Sequence, residues 1–164
     1  MNDEQLQQLS HRIGQQLKIR QATITAAESC TGGWIAKVFT DISGSSAWFE
    51  RGFVTYSNQA KQQMVGVQVS TLEQHGAVSE PTVREMAVGA GKAAAAEYAI
   101  AVSGIAGPDG GTPDKPVGTV WFAIAGPEGR VLAQRKVFAG DRDAVRRQSV
   151  AWALQTLLDE FLTN

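Results

Sequence analysis

The chain of 164 residues carries a single cysteine, Cys30. One thiol excludes an internal disulfide framework and fits a reducing compartment. No apolar run approaches the ~20 residues that a membrane-spanning helix needs. The opening residues, Met1-Asn2-Asp3-Glu4-Gln5, are acidic and polar and lack a signal-peptide pattern. Charge of either sign is not in surplus: the net value is −1, so no global field recruits nucleic acid or an anionic membrane. Internal repeats, low-complexity tracts and dividing linkers are absent, so residues 1–164 are expected to form one domain, in the cytoplasm. A metal-binding constellation of acids and a recognised phosphate loop are also missing, which weighs against phosphoryl transfer. No metal or cofactor is called for.

What is present centres on Ala26-Ala27-Glu28-Ser29-Cys30-Thr31-Gly32-Gly33. It follows an apolar run, Thr23 to Ala27, that reads as a buried strand. It precedes a helix predicted over residues 33–40. The first N–H groups of a helix have no internal partners and carry partial positive charge. An anion or a developing oxyanion can be bound there. Ser29 reads as a nucleophile in such a place, or as an ordinary N-cap, and the residues alone favour the cap.

The rest alternates. Leu6, Leu9, Ile13 and Leu17 place an amphipathic helix over residues 4–20. Trp48 to Tyr56 reads as a strand, followed by a short helix from Gln59 to Val65 capped by Asn58. Lys61 falls near the positive end of that helix, where the dipole and any burial disfavour its charged form. It reads as a neutral general base or, on spacing alone, as a solvated surface lysine. Tyr56 reads as a proton relay or as an edge-of-core aromatic. Residues 70–96 form two helical pieces, the second started by Ser79-Glu80-Pro81. His75 belongs to a turn. Tyr98 to Ser103 is a central strand, and Val117 to Ala125 with Val131 to Phe138 is a hairpin. Asp141 caps a last helix whose core stripe is Val150, Leu154, Leu157 and Phe161.

Strands alternating with helices indicate an α/β fold: a three-layer α/β/α sandwich with a mixed, mostly parallel sheet of about five strands. The loop after Ser103 is dense in glycine: Gly104, Ile105, Ala106, Gly107, Gly110 and Gly111. Its composition suits backbone N–H groups wrapped around a polar ligand at a strand end, or a plain flexible loop. Arg142, Arg146 and Arg147 open the last helix, where dipole logic prefers acids. They read as an anion holder or as a salt-bridged surface. The aromatics Trp48, Phe49 and Phe53 leave a homo-oligomer open, and equally a core.

Together the motifs resemble one family. Thr25-Ala26-Ala27-Glu28-Ser29-Cys30-Thr31-Gly32-Gly33 resembles the opening motif of the CinA C-terminal domain family. Gly52-Phe53-Val54-Thr55-Tyr56-Ser57-Asn58 with Lys61 is similar to the second motif, and Gly76-Ala77-Val78-Ser79-Glu80 to the third. Ser103-Gly104-Ile105-Ala106-Gly107-Pro108-Asp109-Gly110-Gly111, with Lys115-Pro116-Val117-Gly118-Thr119-Val120, is similar to the fourth.

The resemblance runs from about residue 5 to residue 162 and is closest to stand-alone members. It implies an amidohydrolase acting in pyridine nucleotide recycling: nicotinamide mononucleotide and water give nicotinic acid mononucleotide and ammonia. It implies Ser29, Tyr56 and Lys61 as the catalytic set, which outweighs the cap reading of Ser29. The oxyanion would fall to N–H groups near Thr31, Gly32 and Gly33. Substrate contacts would come from Ser103 and the 104–111 loop, and the phosphate from that loop or Arg142. Some relatives are described as competence- or damage-associated, so a silent ligand-binding or regulatory module is the alternative.

Overall fold

The computed structural model describes residues 1–163; the last position lies outside them. Helix α1 (Asp3–Ile19) buries Leu6, Leu9, Ile13 and Leu17, as their spacing predicts. Asn2 and Gln5 cap it reciprocally through 2.8 and 2.9 Å hydrogen bonds. Strand β1 (Ile24–Glu28) leads to α2 (Trp34–Thr40), then β2 (Phe53–Val54) and α3 (Asn58–Val65). Next come α4 (Val69–His75), α5 (Glu80–Ala94), β3 (Tyr98–Gly104), the hairpin β4 (Thr119–Ala125) and β5 (Val131–Val137), and α6 (Arg142–Phe161).

The five strands form one mixed sheet in the order β2-β1-β3-β4-β5. The β1–β2 and β1–β3 pairs are parallel; β3–β4 and β4–β5 are antiparallel. By direction, β4 alone opposes the rest, because the hairpin reverses the chain once in each direction. Alternate side chains along each strand go to opposite faces. Ile24, Ala26, Ile100, Val102, Phe122 and Ile124 pack against α1, α2 and α6. Ala27, Ala99, Ala101 and Ala123 face α5 with α3 and α4 outside it. The small residues on that face let α5 lie close to the sheet.

The expected strand from Trp48 to Tyr56 is cut to Phe53–Val54 plus a lone bridge between Phe49 and Ile24. The cause is packing. Trp48 is buried against Gly14 and stands edge-on to Phe39, with ring centroids 5.5 Å apart. Phe49 is buried on Phe39 as well. This pulls the start of the segment out of the ladder. Trp48 and Phe49 are therefore core, and Phe53 is half-buried. The cap of α3 is also corrected: Ser57 Oγ, not Asn58, accepts the Ala60 N–H at 3.0 Å.

The order of β2, β1 and β3 matters for function. The chain leaves β1 toward β2 on one side, then returns to place β3 on the other. A crevice opens beyond the carboxyl ends of β1 and β3, the place where open α/β sheets bind ligands. Helix α3 reaches this rim because α5 lets it come close at Gly89. A Cβ there would lie 1.7 Å from the Val65 carbonyl oxygen. Gly89→Ala should therefore destabilise the protein by about 2 kcal/mol or more, despite a gain of about 1 kcal/mol in helix propensity. Urea denaturation checks this; an unchanged midpoint would show that α3 does not depend on the close approach.

Candidate active site

Ser29 is the first residue past β1, and its N–H still donates to the Val102 carbonyl of β3 at 3.0 Å. Its carbonyl turns away to accept the Gly32 N–H at 3.1 Å. Lys61, one turn into α3, reaches back across β2. Its Nζ lies 3.0 Å from Ser29 Oγ and 2.8 Å from the Thr55 carbonyl oxygen, to which it donates. The side chain is 1% exposed. Among the described residues no carboxylate forms an ion pair with it. Burial accordingly pushes its pKa below the ordinary 10.5. With one N–H held by Thr55, a neutral amine can turn its lone pair to the Ser29 hydroxyl.

The pair opens onto a cavity of about 300 Å³ at the sheet rim, lined also by Cys30, Tyr56, Asn58, Ser103 and Arg142. Arg142 Nη1 donates to the Gly107 carbonyl at 2.9 Å, and its Nη2 to the Tyr56 hydroxyl at 3.3 Å. Tyr56 is exposed at the mouth. Its recorded partner is Arg142, so it stands beside the cation rather than between Ser29 and Lys61. A larger groove of about 670 Å³ lies between α3 and α5. It is lined by Arg84, Glu85 and Lys92 and lies apart from Ser29 and Lys61.

Thr31, Gly32 and Gly33 lie outside the lining of the cavity onto which Ser29 opens, and the Gly32 N–H is spent on the Ser29 carbonyl. The N-terminus of α2 is filled from within. Glu28 Oε1 accepts the Thr31 hydroxyl at 2.7 Å and the Ile35 N–H at 2.8 Å; Oε2 accepts the Ala36 N–H at 3.0 Å. The Gly33 N–H also supports this carboxylate. Thr31 is buried, and Gly32 and Gly33 line a different cleft with Trp34 and Arg147. Glu28 is almost wholly buried, and desolvation raises its pKa above the ordinary value against the pull of these donors.

The glycine-rich loop contributes less than expected. Ser103, Gly104 and Ala106 line the cavity. The Ile105 N–H is spent on the Thr119 carbonyl at 2.8 Å, and Gly107 offers its carbonyl to Arg142. Gly110 and Gly111 lie outside the cavity lining; a Cβ on Gly111 would meet Val117 at 2.9 Å. Of the three arginines only Arg142 reaches the site. Arg146 donates to the Cys30 and Thr31 carbonyls at 3.0 and 3.1 Å, and Arg147 pairs with Asp3 at 2.7 Å.

Sequence reasoning missed Glu28 as the internal cap and Asn58 at the cavity wall. An acid just before a Ser/Thr/Gly turn was the available signal for the first. His75 ends α4, and its carbonyl accepts Lys115 Nζ at 3.1 Å. Burial pushes the Cys30 thiol up to about 12, so it stays protonated at neutral pH beside Ser29. No cluster of three or more His, Cys, Asp or Glu suited to a metal occurs among the described residues. No helix among them is long and apolar enough to cross a membrane.

The model of the CinA C-terminal domain matches residues 6–161. The chain belongs to the CinA C-terminal domain family. Within that family it is 68% identical over 164 residues, 100% of this chain and 99% of the relative, to the nicotinamide-nucleotide amidohydrolase PncC of Escherichia coli K12. It is 60% identical, over 100% of both chains, to the PncC of Enterobacter agglomerans. A solved structure of the competence damage-inducible protein A (ComA) from Klebsiella pneumoniae superposes with a TM-score of 0.92 at 39% identity, covering 96% of this chain and 98% of that one. The chain thus has the fold of a solved CinA-family relative, and in it Ser29 and Lys61 meet at the sheet rim.

The depressed lysine has a consequence for stability. Between its folded-state pKa and 10.5, the unfolded chain binds the Lys61 proton and the folded chain does not. Stability therefore rises with pH across that window. Lys61→Met removes the dependence. The stability difference between the two proteins should move in favour of the lysine form as pH climbs toward 10.5. Urea midpoints of both, measured at several pH values, check this; parallel curves would contradict a depressed pKa.

Proposed function

We propose that the protein is a carboxamide hydrolase that converts nicotinamide mononucleotide and water to nicotinic acid mononucleotide and ammonia, in the cytoplasmic recycling of pyridine nucleotides. The observation that carries this reading is the 3.0 Å contact between Ser29 Oγ and the buried Lys61 amine, which has no acidic partner among the described residues. High identity to proteins named nicotinamide-nucleotide amidohydrolase supports the substrate.

In this reading Ser29 Oγ attacks the carboxamide carbon while Lys61 Nζ takes the hydroxyl proton. The ammonium so formed gives that proton to the departing nitrogen, and ammonia leaves. Lys61, neutral again, then draws a proton from water, which attacks the acyl-serine ester; the ammonium returns that proton to Ser29 Oγ as the ester bond breaks and the acid leaves. Serine–lysine pairs are a known variant of the catalytic triad. Arg142 stands at the cavity mouth, where its guanidinium can hold the phosphate, and Tyr56 fixes it there through the hydroxyl contact. A regulatory binding module has no use for a nucleophile–base pair, and burying an unpaired lysine costs stability. No release of ammonia by the folded protein would favour that module instead.

Ser29 and Lys61 act as one unit in this mechanism. Ser29→Ala and Lys61→Ala should each lower kcat about a thousandfold or more, and the double variant should be little worse than either. Ammonia release under saturating nucleotide measures this; losses that multiply would separate the two residues.

Arg142→Ala should raise KM for nicotinamide mononucleotide about tenfold, or about 1.4 kcal/mol. Nicotinamide riboside, which has no phosphate, should be little affected. Equal losses on both compounds would make Arg142 a structural residue that holds the Gly107 loop.

A further inference from the structure

With the N–H groups of α2 taken up by Glu28, the carbonyl oxygen of a substrate on Ser29 needs other donors. The sheet register locates them. Glu28 pairs with Val102, and the Ser29 N–H still bonds the Val102 carbonyl, so Ser29, just past β1, stands beside Ser103 of β3, about 4.8 Å away. They share a face. Ser29 follows Ala27 by two positions and Ser103 follows Ala101 by two, and both alanines face α5. Lys61 approaches Ser29 from the β2 side, where its Nζ also holds Thr55. Ser103 lies on the β3 side. The nucleophile is thus flanked by its base on one side and by a second hydroxyl on the other.

That hydroxyl is unusual. Ser103 is 1% exposed, yet Oγ has no hydrogen-bond partner among the described residues. It is not sealed in either: Ser103 lines the cavity shared by Ser29 and Lys61. The residue after it offers a backbone donor. Along β3 the odd-numbered residues bond toward β4, as Ile105 N–H does to Thr119 at 2.8 Å. The even-numbered ones bond toward β1, as Tyr98 N–H does to Thr23 at 3.1 Å. Gly104 N–H therefore points to the β1 side, but β1 has ended at Glu28. The nearby Ser29 carbonyl is already taken by Gly32. Gly104 must be glycine for a separate reason: a Cβ would lie 2.7 Å from Val120 Cγ2 and 2.9 Å from the Thr119 carbonyl.

We infer that Ser103 Oγ, with the Gly104 N–H beside it, receives the carbonyl oxygen of the carboxamide as Ser29 attacks; this rests on the hydrolytic reading above. As the Ser29 Oγ–carbon bond forms, the carbonyl π pair moves onto oxygen and the two donors hold the resulting charge. The Ser29 proton sits meanwhile on Lys61. When the pair returns, the carbon–nitrogen bond breaks and ammonia leaves with that proton. Donors placed where charge develops act more on the transition state than on bound substrate.

The test compares Ser103→Ala and Ser103→Thr with the parent and with Ser29→Ala, by ammonia release from nicotinamide mononucleotide. Ser103→Ala should lower kcat about a hundredfold with KM changed no more than about twofold. Ser103→Thr, which restores the hydroxyl, should recover most of the loss. The urea midpoints should coincide, because Ser103 Oγ holds no part of the fold. The inference is overturned if Ser103→Ala keeps kcat within about threefold while Ser29→Ala is inactive; the hydrolytic reading then stands without it. It is also overturned if Ser103→Ala raises KM alone, or if both Ser103 variants lose activity together with stability. If Ser29→Ala itself turns over normally, the hydrolytic reading is what fails.

Discussion

The amine of Lys61 is held out of water with no carboxylate among the described residues to balance it, and much of the architecture serves to keep it there. Burial disfavours its charged form. Among the described residues its hydrogen-bond partners are the Thr55 carbonyl and Ser29 Oγ. Thr55 is itself tied to β1 by its N–H on the Glu28 carbonyl at 2.8 Å. Helix α3, which carries the lysine, is fixed by α5 through the contact that Gly89 permits. A change in the outer helices therefore reaches the Ser29–Lys61 distance through packing alone.

The turn that bears Ser29 is secured from two directions. Glu28 bonds forward to Thr31 and to the first N–H groups of α2. Arg146 reaches from α6 to the Cys30 and Thr31 carbonyls. The same helix presents Arg142 one turn earlier, toward the cavity mouth. Helix α6 thus ties the proposed phosphate contact to the backbone of the proposed nucleophile. In this arrangement the positive end of α2 orders its own turn, and the free donors lie across the sheet on β3.

Local pattern made the architecture legible. The stripes of Leu6–Leu17 and Val150–Phe161, the apolar run of β3 and the hairpin turn all report through short-range spacing. Ser29 and Lys61 were legible through their motifs, though their contact spans 32 residues. What local spacing could not reveal depends on distant partners. Trp48 reads as strand until Gly14 of α1 claims its ring. Arg146 reads like Arg142 until one finds the Cys30 carbonyl and the other the cavity. Glu28 reads as the end of a strand, and only the fold shows that its carboxylate occupies the helix terminus.

Central to the serine–lysine chemistry is the effect of burial on Lys61, which disfavours its charged form where it faces Ser29. It is tested most directly by titrating the lysine Cε and Nζ resonances of the isotope-labelled resting protein, with Lys61→Met used to assign the signal. A Lys61 transition displaced below the ordinary 10.5 is expected. A Lys61 signal that titrates at or above that value would contradict it.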